Sequence, residues 1–310
     1  MDQLRGDLDR DLLPAVHPGV EQHIGEPVWL IASAFLANPA FDRAMLAYCR
    51  RMVEPSVFRW PSNKIFAQKM RYITCYMLIG LAARFEDGTG PAPTMTLLQT
   101  MVPGSSRQVS DLIAGLRAGG YIVAHQNARD RREIRLVPTP LLVLEIARSP
   151  LAFLASQAML EHHTLFETLS ADTARLSRLI ARSTEAFQSK DVLFAPFETV
   201  VEFTGRDSGY LMLCAVMGAH LARQAGEAWD LALTYDALSQ RFQVSRQHVG
   251  NVLALATKRG LLTLQGGRIG DVDDRLLTEF AWWAAGQMAH FRTLAARLWT
   301  ARQGAAHSLF

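Results

Sequence analysis

Leu233-Thr234-Tyr235-Asp236-Ala237-Leu238-Ser239-Gln240-Arg241-Phe242-Gln243-Val244-Ser245-Arg246-Gln247-His248-Val249-Gly250-Asn251-Val252-Leu253 contains two helix starts in close succession. Thr234 and Ser245 each precede apolar residues at helical spacing, and a hydroxyl at such a position accepts a bond from a backbone amide one turn on. Leu238 and Phe242 fall on one face of the first helix; Val249, Val252 and Leu253 fall on one face of the second. Residues three and four apart share a helix face. The two stripes can therefore pack together, which leaves Ser245, Arg246, Gln247, His248 and Asn251 at the outer start of the second helix. A stop follows at Gly260, then Leu261-Leu262-Thr263-Leu264, a turn at Gly266-Gly267, and Arg268. That pattern predicts a small two-stranded hairpin.

The same scheme occurs upstream. Displaced by 140 residues, Thr94 to Ile122 lies over Thr234 to Leu262 without a gap, with identities at Thr94/Thr234, Leu98/Leu238, Ser105/Ser245, Val109/Val249, Ala114/Ala254 and Gly120/Gly260. The apolar positions Val102/Phe242, Leu112/Val252, Ile113/Leu253 and Ile122/Leu262 also agree. Self-similarity at a fixed displacement marks repeated structural units. Thr94–Met101 and Ser105–Ala118 are predicted helices, ended by Gly119-Gly120. Tyr121–His125 and Glu133–Val137 form the predicted hairpin around a polar tip. Farther out, Ala34-Phe35-Leu36-Ala37 resembles Ala152-Phe153-Leu154-Ala155.

The 233–253 stretch resembles the helix-turn-helix of winged-helix regulators of the Crp/Fnr and MarR kinds. The resemblance implies that Arg246, Gln247, His248 and Asn251 face the major groove of DNA, where Arg pairs with guanine and Gln with adenine. In the first unit the corresponding outer residues are Ser105, Ser106, Arg107, Gln108 and Ser110. A basic wing tip of the MarR kind enters the minor groove, a role that falls here to Arg129, Arg131 and Arg132. Between Arg241 and Arg268 stand five basic residues (Arg241, Arg246, Lys258, Arg259, Arg268) and no acidic one, a one-signed patch suited to phosphate. Both units depart from the family at the turn, with Ser239 and Gln243 in one and Gln99 and Pro103 in the other. Gln243 is then required in a left-handed conformation at a cost of about 1 kcal/mol, and Pro103 implies a reshaped turn.

The 310 residues, 49% hydrophobic, suffice for about two domains. Residues 1–25, rich in Asp and broken by Pro14, Pro18 and Gly19, read as a loosely ordered arm; 26–148 and 149–310 read as two helical plus winged-helix halves, joined near Ser149-Pro150. Val28–Arg51, Ser62–Phe85, Pro140–Ser189, Asp207–Ala225 and Leu276–Trp299 carry helical patterns. The net charge of +3 is uninformative, but Lys occurs only at Lys64, Lys69, Lys190 and Lys258. The Arg excess suits bidentate contacts with phosphate and guanine, and genome base composition accounts for it equally.

The acidic N-terminus lacks the pattern of a secretory signal, and the apolar run Val28–Ala37 is about half of what a membrane span needs; a cytoplasmic protein is expected. Cys49, Cys75 and Cys214 form no metal or redox spacing and are read as packing residues, with a redox sensor as the alternative. His162-His163 point to different sides of a helix and suggest no metal site. No phosphate loop, dinucleotide fingerprint, nucleophile elbow or H-E-x-x-H occurs; neither an enzyme nor a cofactor is expected. Phe58, Trp60, Phe66, Tyr72, Tyr76, Phe194, Phe197, Phe203 and Tyr210 admit two readings, an effector pocket or core packing.

The expected architecture is mainly α with small β wings: tandem winged helix-turn-helix units joined by long helices in a pseudo-two-fold arrangement that imitates a homodimer. A monomer would then hold two half-sites of a promoter-region operator, its reading helices about 34 Å apart. The expected function is a sequence-specific double-stranded DNA-binding transcription regulator; the alternatives are a tandem winged-helix protein-binding scaffold and a replication-initiator-type DNA-binding protein. With Val109 and Val249 aligned, Ser106-Arg107-Gln108 lies one residue later than Ser245-Arg246-Gln247, or about 100° around the helix. The two units are therefore expected to read different half-sites.

Overall fold

A computed structural model describes residues 15–55, 65–127, 130, 132–161, 165–189, 191–266 and 268–307. They form a mainly helical protein with two small antiparallel hairpins. Where one long helical stretch was expected over 28–51, there are two helices, α2 (Pro27–Leu36) and α3 (Phe41–Val53), after a single turn α1 (Pro18–Glu21). Pro39 causes the break, because it lacks an N–H and forces the preceding residue out of helical geometry. Asn38 covers the corner by accepting from the Ala40 amide at 2.9 Å.

The loose arm expected over 1–25 is tied down from Ala15 onward. Val20 is buried, Trp282 Nε1 donates to the Ala15 carbonyl at 3.1 Å, and Gly19 lies so close to Pro196 that a Cβ would meet its carbonyl oxygen at 2.5 Å. Residues 1–14 lie outside the described residues.

Helix α4 (Lys69–Glu86) precedes the first pair of short helices, α5 (Met95–Met101) and α6 (Ser106–Ala118), and hairpin β1 (Ile122–Gln126)–β2 (Ile134–Pro138). The chain continues through α7 (Pro140–Glu161), α8 (Leu165–Ser170), α9 (Thr173–Ser189) and α10 (Glu198–Thr204). Helix α11 (Gly209–Ala225) then precedes a second pair, α12 (Tyr235–Phe242) and α13 (Arg246–Lys258), hairpin β3 (Leu262–Gln265)–β4 (Arg268–Val272), and α14 (Asp274–His307).

The internal repeat extends to single hydrogen bonds. Thr94 and Thr234 each cap a helix and bridge to the second strand of their hairpin, at Arg135 and Arg268. Tyr121 and Leu261 amides close the ends of α6 and α13 on Leu116 and Ala256 carbonyls, both at 2.9 Å. Gly120 and Gly260 turn with φ of +74° and +68°, which a side chain would oppose.

The join expected near Ser149-Pro150 falls inside α7, which runs unbroken through the proline. Proline there deprives the Ile146 carbonyl of its helical donor. Tyr72 of α4 replaces it, its hydroxyl donating to Ile146 O at 2.9 Å. Helix α7 is the one helix among the described residues long and apolar enough to cross a membrane, a property the sequence reading passed over because Glu145 and Arg148 interrupt the run; 67% of that window is buried within the protein.

The halves interlock reciprocally. Helix α4, which leads into the first pair, packs on α9 of the second half, and α11, which leads into the second pair, packs on α3 of the first. Gly80 and Gly218 allow these approaches: a Cβ on Gly80 would lie 2.8 Å from Thr184 Oγ1, and one on Gly218 would lie 2.9 Å from Cys49 Cβ and 2.1 Å from the Trp229 ring. Between the halves Tyr48 and Tyr210 share a hydrogen bond through their hydroxyls, and Tyr48 stacks on Phe153 with centroids 4.2 Å apart. Helix α14 crosses both halves, burying Trp282, Trp283 and Phe291.

Candidate nucleic-acid interface

In the second unit Thr234 Oγ1 accepts from the Ala237 amide at 3.2 Å and starts α12. Leu238 and Phe242 are buried. The helix ends on Gln243 at φ +55°, ψ +41°, the left-handed conformation the sequence demanded of a non-glycine. Ser245 Oγ accepts from the His248 amide at 3.1 Å and starts α13. Val249, Val252 and Leu253 are buried beneath it.

On its outer side Ser245, Arg246, Gln247 and Asn251 are exposed. The Arg246 side chain is 72% exposed and its Nε lies 3.0 Å from Asp236 Oδ1. His248 stands apart from this group. It is half-buried, and its Nε2 donates to the Asp207 carbonyl at 2.7 Å, so the ring anchors the start of α13 to the segment before α11.

The first unit has the same plan with a different turn. Thr94 caps α5 through the Leu97 amide; the helix stops at Met101, Val102 is extended, and Gly104 takes φ +141°. Pro103 thus coincides with a reshaped turn, as expected. Ser105 and Gln108 form a reciprocal capping box. Gln99 fills a role the sequence reading missed: its Nε2 donates to Ser106 O and Ser110 Oγ, each at 3.0 Å, and so braces α5 against α6.

These bonds sort the candidate readers of the first unit. Ser105 and Gln108 are exposed but committed to the cap. Ser110 is half-buried and donates to Ser106 O at 2.9 Å. Ser106 is exposed at the first helical position. Arg107, 91% exposed with Asp111 Oδ2 3.9 Å away, is the side chain that projects. It occupies the second helical position and Arg246 the first, so the one-residue offset read from the sequence is a real difference in direction.

At the wing tips, Asn127 Nδ2 donates to Glu133 Oε2 at 3.1 Å and Arg132 is exposed. Arg129 and Arg131 lie outside the described residues. Arg268 is exposed at the start of β4, beside a Gly266 turn at φ +56°.

The one-signed patch over 241–268 does not persist in three dimensions. Arg241 Nη1 donates to the Val53 carbonyl at 2.9 Å, closing the end of α3. Arg259 lies between Glu198 at 3.3 Å and Glu202 at 3.1 Å. Arg246 meets Asp236, just outside the acid-free stretch. Exposed pairs of this kind contribute about 0–1 kcal/mol, so a phosphate or base edge can compete for the arginine.

Phe66, Tyr76, Phe197 and Phe203 are buried in the core; Phe58 and Trp60 lie outside the described residues, as do His162 and His163. The three cysteines are buried, and burial pushes the Cys49 and Cys75 thiols well up. Such thiols are poor nucleophiles, which favours the packing reading. Among the described residues no group of His, Cys, Asp and Glu could hold a metal ion.

No family model matches this chain, and no curated protein or solved structure matches it either.

Proposed function

We propose that the chain is a sequence-specific double-stranded DNA-binding transcription regulator in which two non-identical winged helix-turn-helix units, similar to those of MarR-like and Crp/Fnr-type proteins, act from one pseudo-dimeric chain. The observation that carries this reading is the exposure of the first two residues of both α6 and α13, one of which in each helix is a projecting arginine. Each of these helices is seated on a short capped helix and followed by a hairpin with a basic residue at its tip. A groove of B-DNA accepts a helix so presented, and Arg246 with Gln247 supplies donors for guanine and adenine edges.

Fluorescence anisotropy across a salt series, on selected and on random duplexes, tests the reading. Arg246→Ala is expected to weaken selected-site binding by about 1–3 kcal/mol while leaving random-sequence binding within a few fold. Equal losses on both duplexes would remove Arg246 as a base reader, and no DNA binding at low salt would remove the function. The offsetting acids around α13 favour a second reading, a protein-binding scaffold: Asp236, Glu198 and Glu202 make that face mixed in charge. A replication-initiator role is distinguished by where binding occurs, at an origin and not upstream of genes.

A further inference from the structure

A cleft of about 380 Å³ opens where the first half meets the start of α13, lined by Arg71, Asp207, Ser208, Gln243, Ser245 and His248 among others. Arg71 comes from α4; the other five come from the second half. Three features make it a built site. Ser208, 1% exposed, is held by its amide, which donates to the Ala67 carbonyl at 3.0 Å; its hydroxyl, on the cleft wall, bonds no group among the described residues and does not cap α11. Arg71 is steadied at the rim by Asp207, with Nη2 to Oδ1 at 3.1 Å. Ser245 and His248 bring the N-terminal end of α13 to the cleft, the end at which a helix presents unbonded amides.

The repeat places different side chains at the two equivalent positions. Met70 in the first half lies against Gly104, with Cγ and Sδ at 3.4 and 3.5 Å from where a Cβ would stand, and fills the corresponding space. Its counterpart, Tyr210, turns away to Tyr48 and packs on Trp283 at 5.1 Å. Both non-glycine residues with left-handed backbone among the described residues, Ser208 and Gln243, line this cleft.

We infer that this cleft binds one phosphate group, held by the Arg71 guanidinium and the Ser208 hydroxyl beside the N-terminal end of α13. A guanidinium offers N–H donors that match phosphate oxygens, and helix N-termini favour anions. The Asp207 carboxylate opposes the charge, so an incoming phosphate shares or displaces its hold on Arg71. Occupancy ties α4 of one half to the reading helix of the other. The phosphate comes either free from solution or from the backbone of DNA; the second source rests on the DNA-binding reading, the first does not.

The full chain is titrated with inorganic phosphate against ionic-strength-matched chloride, by calorimetry and by thermal midpoint, and separately with duplex DNA. The variants are Ser208→Ala, which removes a hydroxyl with no partner among the described residues, and Arg71→Gln. If the source is free phosphate, it binds and raises the midpoint beyond chloride, with affinity down about tenfold in Arg71→Gln and severalfold in Ser208→Ala. If the source is DNA, free phosphate acts no differently from chloride, yet both variants weaken every duplex and Arg71→Gln lowers the salt slope by about one. Phosphate binding without any DNA binding leaves this inference standing and removes the regulator. Unchanged phosphate and DNA binding in both variants overturns it. Should Arg71→Gln lower the midpoint of the free protein, Ser208→Ala alone decides.

Discussion

His290 illustrates how much a single buried side chain can hold. It sits on α14 with Nε2 2.7 Å from Ser183 Oγ of α9, and burial lowers its pKa to about 4, against an ordinary 6.5. The unfolded chain therefore takes up this proton first as pH falls. Stability from the neutral imidazole is fully present above about pH 6.5 and is lost progressively down to about pH 4, in total about 3 kcal/mol. Urea unfolding at a series of pH values is expected to show that decline, and a flat profile from pH 7 to 4.5 would contradict it. Tyr72 makes a related point. Its aromatic type admitted a pocket or a packing role, and in addition its hydroxyl serves the carbonyl that Pro150 leaves open, a pairing between residues too far apart in the chain for local pattern to reveal.

Local elements follow local chemistry closely. Thr234 and Ser245 cap the helices they were expected to cap, and Thr94 and Ser105 do the same in the first unit, because the bond is made within one turn of the chain. The turn of the second unit keeps the shape usual for glycine while using Gln243. A left-handed L-residue costs about 1–2 kcal/mol, of which glycine's larger entropy loss on folding takes back about 0.5–1. Gln243→Gly is thus expected to stabilise by about 0.5–1 kcal/mol in chemical denaturation; destabilisation would mean that the Gln243 side chain supports the cleft wall. By contrast, the first unit's turn needed Gln99 as a brace, which no spacing rule would have found.

At the scale of the whole molecule, the reciprocal packing of α4 on α9 and α11 on α3 makes the halves mutually dependent. Residues 1–148 and 149–310 expressed separately are each expected to lack a cooperative thermal transition, since each would expose a helix face the other covers. A sharp transition in either fragment would show independent folding. The differing positions of Arg107 and Arg246 carry the second expectation, under the proposed function: the operator is not a strict inverted repeat. Genome-wide binding-site mapping that returned a perfect palindrome centred on the footprint would rule this out.

Caps, apolar spacing and glycine stops act over a few residues, so the amino-acid order alone was enough to locate both helix pairs, both hairpins and their relation by a 140-residue displacement. Charge and burial act through space, and there the chain order misled: an acid-free run acquired Glu198, Glu202 and Asp236 as neighbours, and an arm with a loose composition gained Trp282 as an anchor. The exchange of helices between halves, and the cleft left where Tyr210 turns away from the place Met70 occupies in the first half, exist only once distant segments meet.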